Sequence, residues 1–504
     1  MKNKMKMWSW AGTAGGALLG AVLSVSTAGA ADAAKAADAT PVASMPASVA
    51  SAPASRPVSA SSSIAAPAPI PVPAPVPAVA IAGGEQAAVA RGAYLARAGD
   101  CIACHTAVHG KPFAGGLAIE SPLGTIWSTN ITPDAQNGIG AYSEAQFGAA
   151  LRHGKRADGS NLYPAMPYPS YGRLTDADVH DLYVYFMRGV APVALRPTQT
   201  RLTFPFNMRF GLGVWNWAFM HPGAFQPDPA RSAEVNRGAY LVEGLGHCGS
   251  CHTARGIAMQ EKALDDGGAG YLGGTNLNDW WAPQLRGATG GTASGGVASW
   301  SADEIVDYLG SGRNAHTAVN GEMTAVVQNS TSHMTPADRH AIAAYLKSLQ
   351  VDAATATPAV DAAAREATRR TLTAATSLTL GQRLYLDHCA GCHTVTGNGA
   401  PRVFPATAGN SLINAQDPTG LIRTLLGGAV TPSTPLGPEH LPMPGFAYRL
   451  SDDEAAQLAT FVRAGWGNRG GAVTAAQVAK VRAMLPARQG GDARHHAAQK
   501  TTGE

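Results

Sequence analysis

Three five-residue stretches carry the most specific chemistry in this chain: Cys101-Ile-Ala-Cys104-His105, Cys248-Gly-Ser-Cys251-His252 and Cys389-Ala-Gly-Cys392-His393. They use all six cysteines, so no thiol remains for a disulfide framework joining distant residues. Two cysteines three positions apart can each add across a vinyl group of one porphyrin. The histidine that follows then lies where its imidazole can coordinate the iron, and the pattern is the attachment site of c-type haem. Other chemistries fit less well. A structural zinc site needs four closed ligands, whereas each motif brings three and no second C-x-x-C lies nearby. A thioredoxin-like pair needs a βαβ setting, which is missing. A disulfide-prone pair would explain one occurrence but not three, each followed by histidine. The expected cofactors are therefore three covalently attached haems c.

An iron used only for electron transfer needs both axial positions filled, and methionine sulfur is the usual partner of a proximal histidine where a high potential is wanted. Met166 lies in Tyr163-Pro164-Ala165-Met166-Pro167-Tyr168 and Met443 in Leu441-Pro442-Met443-Pro444-Gly445. The flanking prolines stiffen both loops and present the sulfur from a fixed backbone. The second repeat offers Met323 and Met334. Met334 directly precedes a helix N-cap, where Leu174 and Leu450 stand in the other repeats, and is read as an apolar contact. Met323 is the expected ligand, with His316 and His333 as competitors that would give a bis-histidine haem of lower potential. The expected axial pairs are His105/Met166, His252/Met323 and His393/Met443. His247 and His388, beside the motifs, are given no role. Asn130 and Asn276 sit in Gly-rich loops, where they either donate to haem propionates or serve turns.

Elements that recur with the motifs must position these groups. The first cysteines are 147 and 141 residues apart. Arg91-Gly92-Ala93-Tyr94-Leu95 and Arg237-Gly238-Ala239-Tyr240-Leu241 precede the first two motifs, and Leu384-Tyr385-Leu386 is read as the shorter counterpart before the third. Each predicts a short helix leading to the cysteines. Thr175-x-x-Asp178, Thr335-x-x-Asp338 and Ser451-x-x-Glu454 predict the start of a later helix. Counted from that cap, Leu182, Ile342 and Leu458 stand at +7, Tyr185, Tyr345 and Phe461 at +10, and Phe186, Leu346 and Val462 at +11. These offsets share one helical face. The pattern predicts an all-α protein of three tandem class I cytochrome c domains, at 85–195, 231–350 and 377–468, in which a porphyrin supplies interior that so small a domain lacks.

The remaining residues connect, export or terminate. Lys2, Lys4 and Lys6, an uncharged run and Ala28-Gly29-Ala30 predict a cleaved signal peptide over 1–30, with a retained membrane anchor as the rival, and hence a periplasmic protein. Residues 31–84 hold ten of the 34 prolines and no aromatic side chain, the composition of an extended spacer. A connector, 196–230, gathers Phe204, Phe206, Phe210, Trp215, Trp217 and Phe219. It is read either as a docking surface for a partner subunit or membrane, or as packing between domains. A second linker, rich in Ala and Thr, covers 351–376. Residues 469–504 form a tail in which Val478, Val481, Met484 and Leu485 mark a weak apolar face, a candidate for peripheral membrane attachment. A formal net charge of +4 with 14% charged residues marks no nucleic-acid binder. No dinucleotide fingerprint, catalytic carboxylate pair or nucleophile motif appears, so no catalytic residue is assigned.

Several segments carry a resemblance: Trp127-Ser-Thr-Asn-Ile-Thr-Pro133, Tyr163-Pro-Ala-Met-Pro-Tyr168, Arg237-Gly-Ala-Tyr-Leu-Val-Glu-Gly-Leu-Gly-His-Cys248, Asp279-Trp-Trp-Ala-Pro283, Val403-Phe-Pro-Ala406 and Pro442-Met-Pro-Gly-Phe-Ala-Tyr448. Over roughly 92–467 the chain resembles the triple-haem cytochrome c subunits of membrane-bound, quinone-reducing dehydrogenases of the alcohol dehydrogenase type, with relatives serving gluconate, sorbitol, fructose and aldehyde dehydrogenases. The resemblance implies a separate catalytic subunit, quinoprotein or flavoprotein, whose electrons pass through three haems to ubiquinone at the outer face of the bacterial cytoplasmic membrane. The long Ala/Pro spacer departs from that pattern, and the tail lacks a convincing hydrophobic anchor. The alternative is a haem enzyme, of peroxidase or reductase type, with one open axial position.

Overall fold

The computed structural model describes residues 83–220, 223–277, 280–287, 293–294, 296–350, 357–358 and 361–485. The expected signal peptide, the spacer before residue 83, Asp279 and the tail beyond residue 485 lie outside the described residues. So do residues 351–356, 359 and 360 of the second linker.

One helix pair is built three times. The leading helices are Gly83–Ala98, Ala233–Ala239 continued by π-type turns through Tyr240–Leu245, and Leu380–His388. The closing helices are Asp176–Val184 with a π-type turn at Tyr185–Gly189, Pro336–Ser348 and Asp452–Ala464. The hydroxyls of Thr175, Thr335 and Ser451 accept from the backbone N–H of Asp178, Asp338 and Glu454, so each closing helix starts where its cap predicts. At +7 and +11, Leu182, Ile342, Leu458, Phe186, Leu346 and Val462 are all buried.

Each pair crosses at one glycine. A Cβ on Gly92 would fall 2.0 Å from the carbonyl oxygen of Asp181, on Gly238 1.9 Å from that of Ala341, and on Gly381 2.4 Å from that of Gln457. Backbones this close admit no side chain, and the +10 aromatics Tyr185, Tyr345 and Phe461 close over the crossing. These contacts correct the register of the third repeat. The partner of Gly92 and Gly238 is Gly381, so Leu384 and not Leu386 follows it at the spacing of Leu95 and Leu241. Sequence comparison slipped because the distance from glycine to first cysteine is nine, ten and eight residues. In the second repeat the wider π-type turns accommodate the longer run.

The protein is mostly helical, but the all-α expectation is too strict. Antiparallel pairs join Ala118–Ile119 to Ile126–Trp127, Thr275–Leu277 to Trp280–Ala282, Ala293–Ser294 to Thr357–Pro358 and Ala429–Val430 to Pro442–Met443. They fall in the Gly- and Pro-rich loops between helices. There the chain cannot stay helical, and extended pairing satisfies backbone groups that would otherwise be stranded. The second linker also differs from expectation. Ala362–Ala374 is a helix capped by Asp361 and anchored by buried Leu372, as its alanine content favours.

The first two segments share one hydrophobic core running from Leu95 to Leu349, whereas the third has its own, from Leu372 to Val481. Reciprocal polar contacts seal the shared core. Tyr94 in the first leading helix donates to Asp338 in the second closing helix, and Tyr240 in the second leading helix donates to Asp178 in the first closing helix. Arg237 holds Asp338 with two bonds of 2.8 Å, and Arg173 reaches from the first segment to buried Glu243 at 3.1 Å. Contacts with the third segment are more polar: Arg402 pairs with Asp307, Arg313 with Glu439 at 3.1 Å, and Asn276 donates to Asp417 at 2.6 Å.

Candidate functional site

Each leading helix delivers its motif into a single helical turn, at Cys101–Cys104, Gly249–His252 and Ala390–His393. The three histidines are then held alike. Nδ1–H of His105 donates to the Thr129 carbonyl at 2.7 Å, that of His252 to Pro283 at 2.7 Å, and that of His393 to Pro405 at 2.8 Å. A carbonyl partner fixes the tautomer with Nε2 unprotonated and available to a metal, and it orients the ring. Burial holds all three imidazoles below their ordinary pKa, against the opposing effect of the carbonyl bond, which favours the neutral form a metal could bind. The acceptors sit in the Trp127–Pro133, Asp279–Pro283 and Val403–Ala406 stretches that carried the resemblance. Their role was missed because a backbone carbonyl has no side-chain signature.

The thiols are equally telling. Burial pushes Cys101 and Cys248 up to about 12, and Cys104 and Cys251 to about 11. Cys389 is likewise raised to about 12. A zinc centre would need thiolates, and among the described residues no three His, Cys, Asp or Glu side chains gather as a metal cluster. A thiol pair followed by an oriented imidazole in each motif fits a covalently held haem. The Met323–Asn329 helix of the second segment packs on the Cys101–Cys104 turn of the first. Asp100 is buried, one of its carboxyl oxygens has no partner, and burial lifts it well above the carboxylate range.

A largely apolar cavity of about 410 Å³ is walled by Cys248, Cys251, His252 and Met323 together with Cys389, Cys392, His393 and Met443. Both sets of second- and third-segment groups thus face one space. Met443 is held in a strand pair opposite Ala429. Met323 opens the Met323–Asn329 helix. Met334 reaches the same wall but is buried in the turn before Thr335, as Leu174 and Leu450 are before Thr175 and Ser451. The competing histidines are engaged elsewhere: His316 stacks on Trp300 and pairs with Glu304 at 3.0 Å, and His333 Nε2 bonds the Gln328 carbonyl at 3.1 Å. In the first segment, Cys101 and Met166 both pack on the shared core. The Met166 backbone N–H bonds the Tyr163 carbonyl, and buried Tyr168 closes the loop.

Other expectations resolve on the bland side. Asn130 donates to the carbonyls of Val193 and Leu195 at 2.8 and 2.9 Å, bracing the chain leaving the first closing helix, and Asn276 bonds Asp417. His247 lies edge-on to Tyr171, and His388 against Phe446. On the apolar face of the C-terminal Ala475–Met484 helix, Val478 and Val481 are buried in the third core, whereas Met484 is exposed. The aromatic connector divides: Trp215 turns inward to the Ala258 carbonyl at 2.8 Å, whereas Phe204, Phe210 and Trp217 are exposed.

Helical turns that present paired thiols and a histidine, built on crossed leading and closing helices, define a cytochrome c. The cytochrome c family matches residues 89–189, 235–350 and 378–466, and the chain belongs to that family, whose cofactor is covalently bound haem c. It is 47% identical over 408 residues to the "Alcohol dehydrogenase (quinone), cytochrome c subunit" of Gluconacetobacter polyoxogenes, covering 79% of this chain and 85% of that one. It is 44% identical over 402 residues to the "Gluconate 2-dehydrogenase cytochrome c subunit" of Pantoea cypripedii, covering 79% and 90%. A "Diheme cytochrome c-type" protein of Cereibacter sphaeroides is 37% identical over 264 residues, 51% of this chain and 84% of that one.

Proposed function

We propose that the chain is the electron-transfer subunit of a quinone-dependent dehydrogenase and carries three haems c, one in each of the domains 85–195, 231–350 and 377–468. The thioethers form at Cys101 and Cys104, Cys248 and Cys251, and Cys389 and Cys392. His105 and Met166, His252 and Met323, and His393 and Met443 are the axial pairs. The observation that carries this reading is the thrice-repeated Nδ1–H to carbonyl bond of the histidine that follows each thiol pair. When bound, haem supplies reversible one-electron exchange at iron. The protein's own groups orient the imidazoles and fill the remaining axial position, from proline-stiffened loops at Met166 and Met443 and from a helix start at Met323, so that oxygen chemistry is suppressed.

The second site is the middle of the series. The Met323–Asn329 helix packs on the Cys101–Cys104 turn, while Met323 and His252 share a cavity wall with His393 and Met443. Electrons enter from a catalytic subunit, quinoprotein or flavoprotein, of the alcohol dehydrogenase kind, with gluconate and the other sugar or aldehyde dehydrogenases as the second choice. They leave to ubiquinone at the periplasmic surface of the cytoplasmic membrane. Mixing the haem-loaded chain anaerobically with a purified partner dehydrogenase and its alcohol should reduce all haem absorption, and a soluble ubiquinone analogue should reoxidise it. Haem that stays oxidised with active partner and substrate would contradict the assignment.

A further inference from the structure

Between Asp181 and Asp228 the chain has no carboxylate, and its only charged side chains other than His221 are Arg188, Arg196, Arg201 and Arg209. Within this arc the Gly211–Phe219 helix has no charged residue at all. A short surface helix normally turns charge to water. Here Phe210, Val214 and Trp217, spaced four and three apart and so on one side, are 74, 66 and 86% exposed, and Phe204 in the preceding loop is 76% exposed. The opposite side is fastened: Trp215 Nε1 donates to the Ala258 carbonyl, and the side-chain Oδ1 of Asn216 accepts from the Tyr168 hydroxyl at 2.8 Å. The exposed rings are therefore held outward. Arg196 and Arg201 are exposed and have no ion pair among the described residues.

We propose that this face seats the protein on an anionic lipid bilayer, with Phe204, Phe210 and Trp217 entering the boundary between headgroups and acyl chains and Arg196 and Arg201 pairing with lipid phosphates. The proposal rests on the reading of a membrane-associated electron carrier and names the surface that makes the contact. A bilayer fits better than a protein partner because protein interfaces carry polar rims of both signs, whereas this arc carries positive charge alone. Aromatic rings with a polar edge collect at that depth. Among the described residues no helix is long and apolar enough to cross a membrane. The face is also tied to the first haem site. Tyr163 donates to the Phe206 carbonyl at 3.2 Å, and Arg209, 4.3 Å above the Tyr163 ring, donates to the Asn161 carbonyl at 2.7 Å. Docking thus brings the Met166 loop close to the lipid.

The test uses the full-length, haem-loaded chain with Trp217→Cys, labelled at that thiol with an environment-sensitive fluorophore, and vesicles of phosphatidylglycerol and phosphatidylcholine. The six native thiols are thioethers and do not react. Label emission should shift to the blue on vesicle addition and be quenched by brominated acyl chains. Arg196→Gln with Arg201→Gln should weaken binding to the anionic vesicles about tenfold with an unchanged haem spectrum. A label that stays unshifted and unquenched on vesicle-bound protein, attached through another segment, would overturn the proposal. So would shielding of the label by the partner dehydrogenase in detergent without lipid quenching. An altered haem spectrum in the unsubstituted chain would instead refute the underlying reading of the sites.

Discussion

Met323 and Met334 both line the cavity beside His252, and one substitution at each separates their roles. Met323→Leu should leave one haem of the three with an open axial position. The reduced protein would then bind about one carbon monoxide per chain, and the oxidised protein would lose part of the far-red methionine-to-iron absorption. Met334→Leu, a nearly isosteric change at a buried helix start, should cost under about 1.5 kcal/mol of stability and leave the spectrum intact. Carbon monoxide titration of the two variants checks both, and the reverse pattern would exchange the assignments. At this scale the sequence was most legible. The thiols, the histidines and the proline-framed methionines announce themselves by type and spacing, whereas Thr129, Pro283 and Pro405 act through carbonyls that every residue possesses.

Among the elements, the three glycine crossings and the tyrosine–aspartate contacts bear the most direct consequences. Gly92→Ala, Gly238→Ala or Gly381→Ala places a methyl about 2 Å from a carbonyl oxygen. Forcing these helices apart should destabilise by roughly 3 kcal/mol in chemical denaturation. Gly148→Ala, inside the Glu144–His153 helix and in ordinary contact with Val179, should instead stabilise by about 1 kcal/mol. Asp338 belongs to the same scale. Burial raises its pKa, but Arg237 and Tyr94 outweigh burial and hold it below the usual value. Its contribution to stability is therefore present above the unfolded value of about 3.9 and lost as pH falls through the lower folded value. Asp338→Asn should cost about 2 kcal/mol at pH 7, with the gap to the parent narrowing below about pH 4. A gap that persists unchanged in acid would contradict the charged contact. The caps of the closing helices were readable, since Thr175, Thr335 and Ser451 act locally. The contact between Tyr94 and Asp338 joins residues 244 positions apart, and no local pattern announces it. The third repeat was misaligned for a related reason, because helix-to-motif distance varies while the crossing contact does not.

Across the whole molecule, one core serves the first two segments and another the third, so the protein should lose structure in two steps. Hydrogen exchange should show the amides of Gly83–Ala98 and Pro336–Ser348 opening together, and those of Asp452–Ala464 separately. The threefold repeat and the helical character were visible in the spacing of motifs and caps. The pairing of segments was not, since it depends on which surfaces meet, and the short strands were hidden in loops whose extended pairing has no periodicity. The central claim is that three haems, all histidine- and methionine-ligated, make this chain a carrier and not an oxygen-active enzyme. The most direct measurement is a haem count per chain by pyridine haemochrome on the purified protein, followed by carbon monoxide addition to the reduced form. Three haems per chain, all low-spin and unreactive, are predicted. Fewer than three, or a haem in the unsubstituted protein that binds carbon monoxide, would contradict the account.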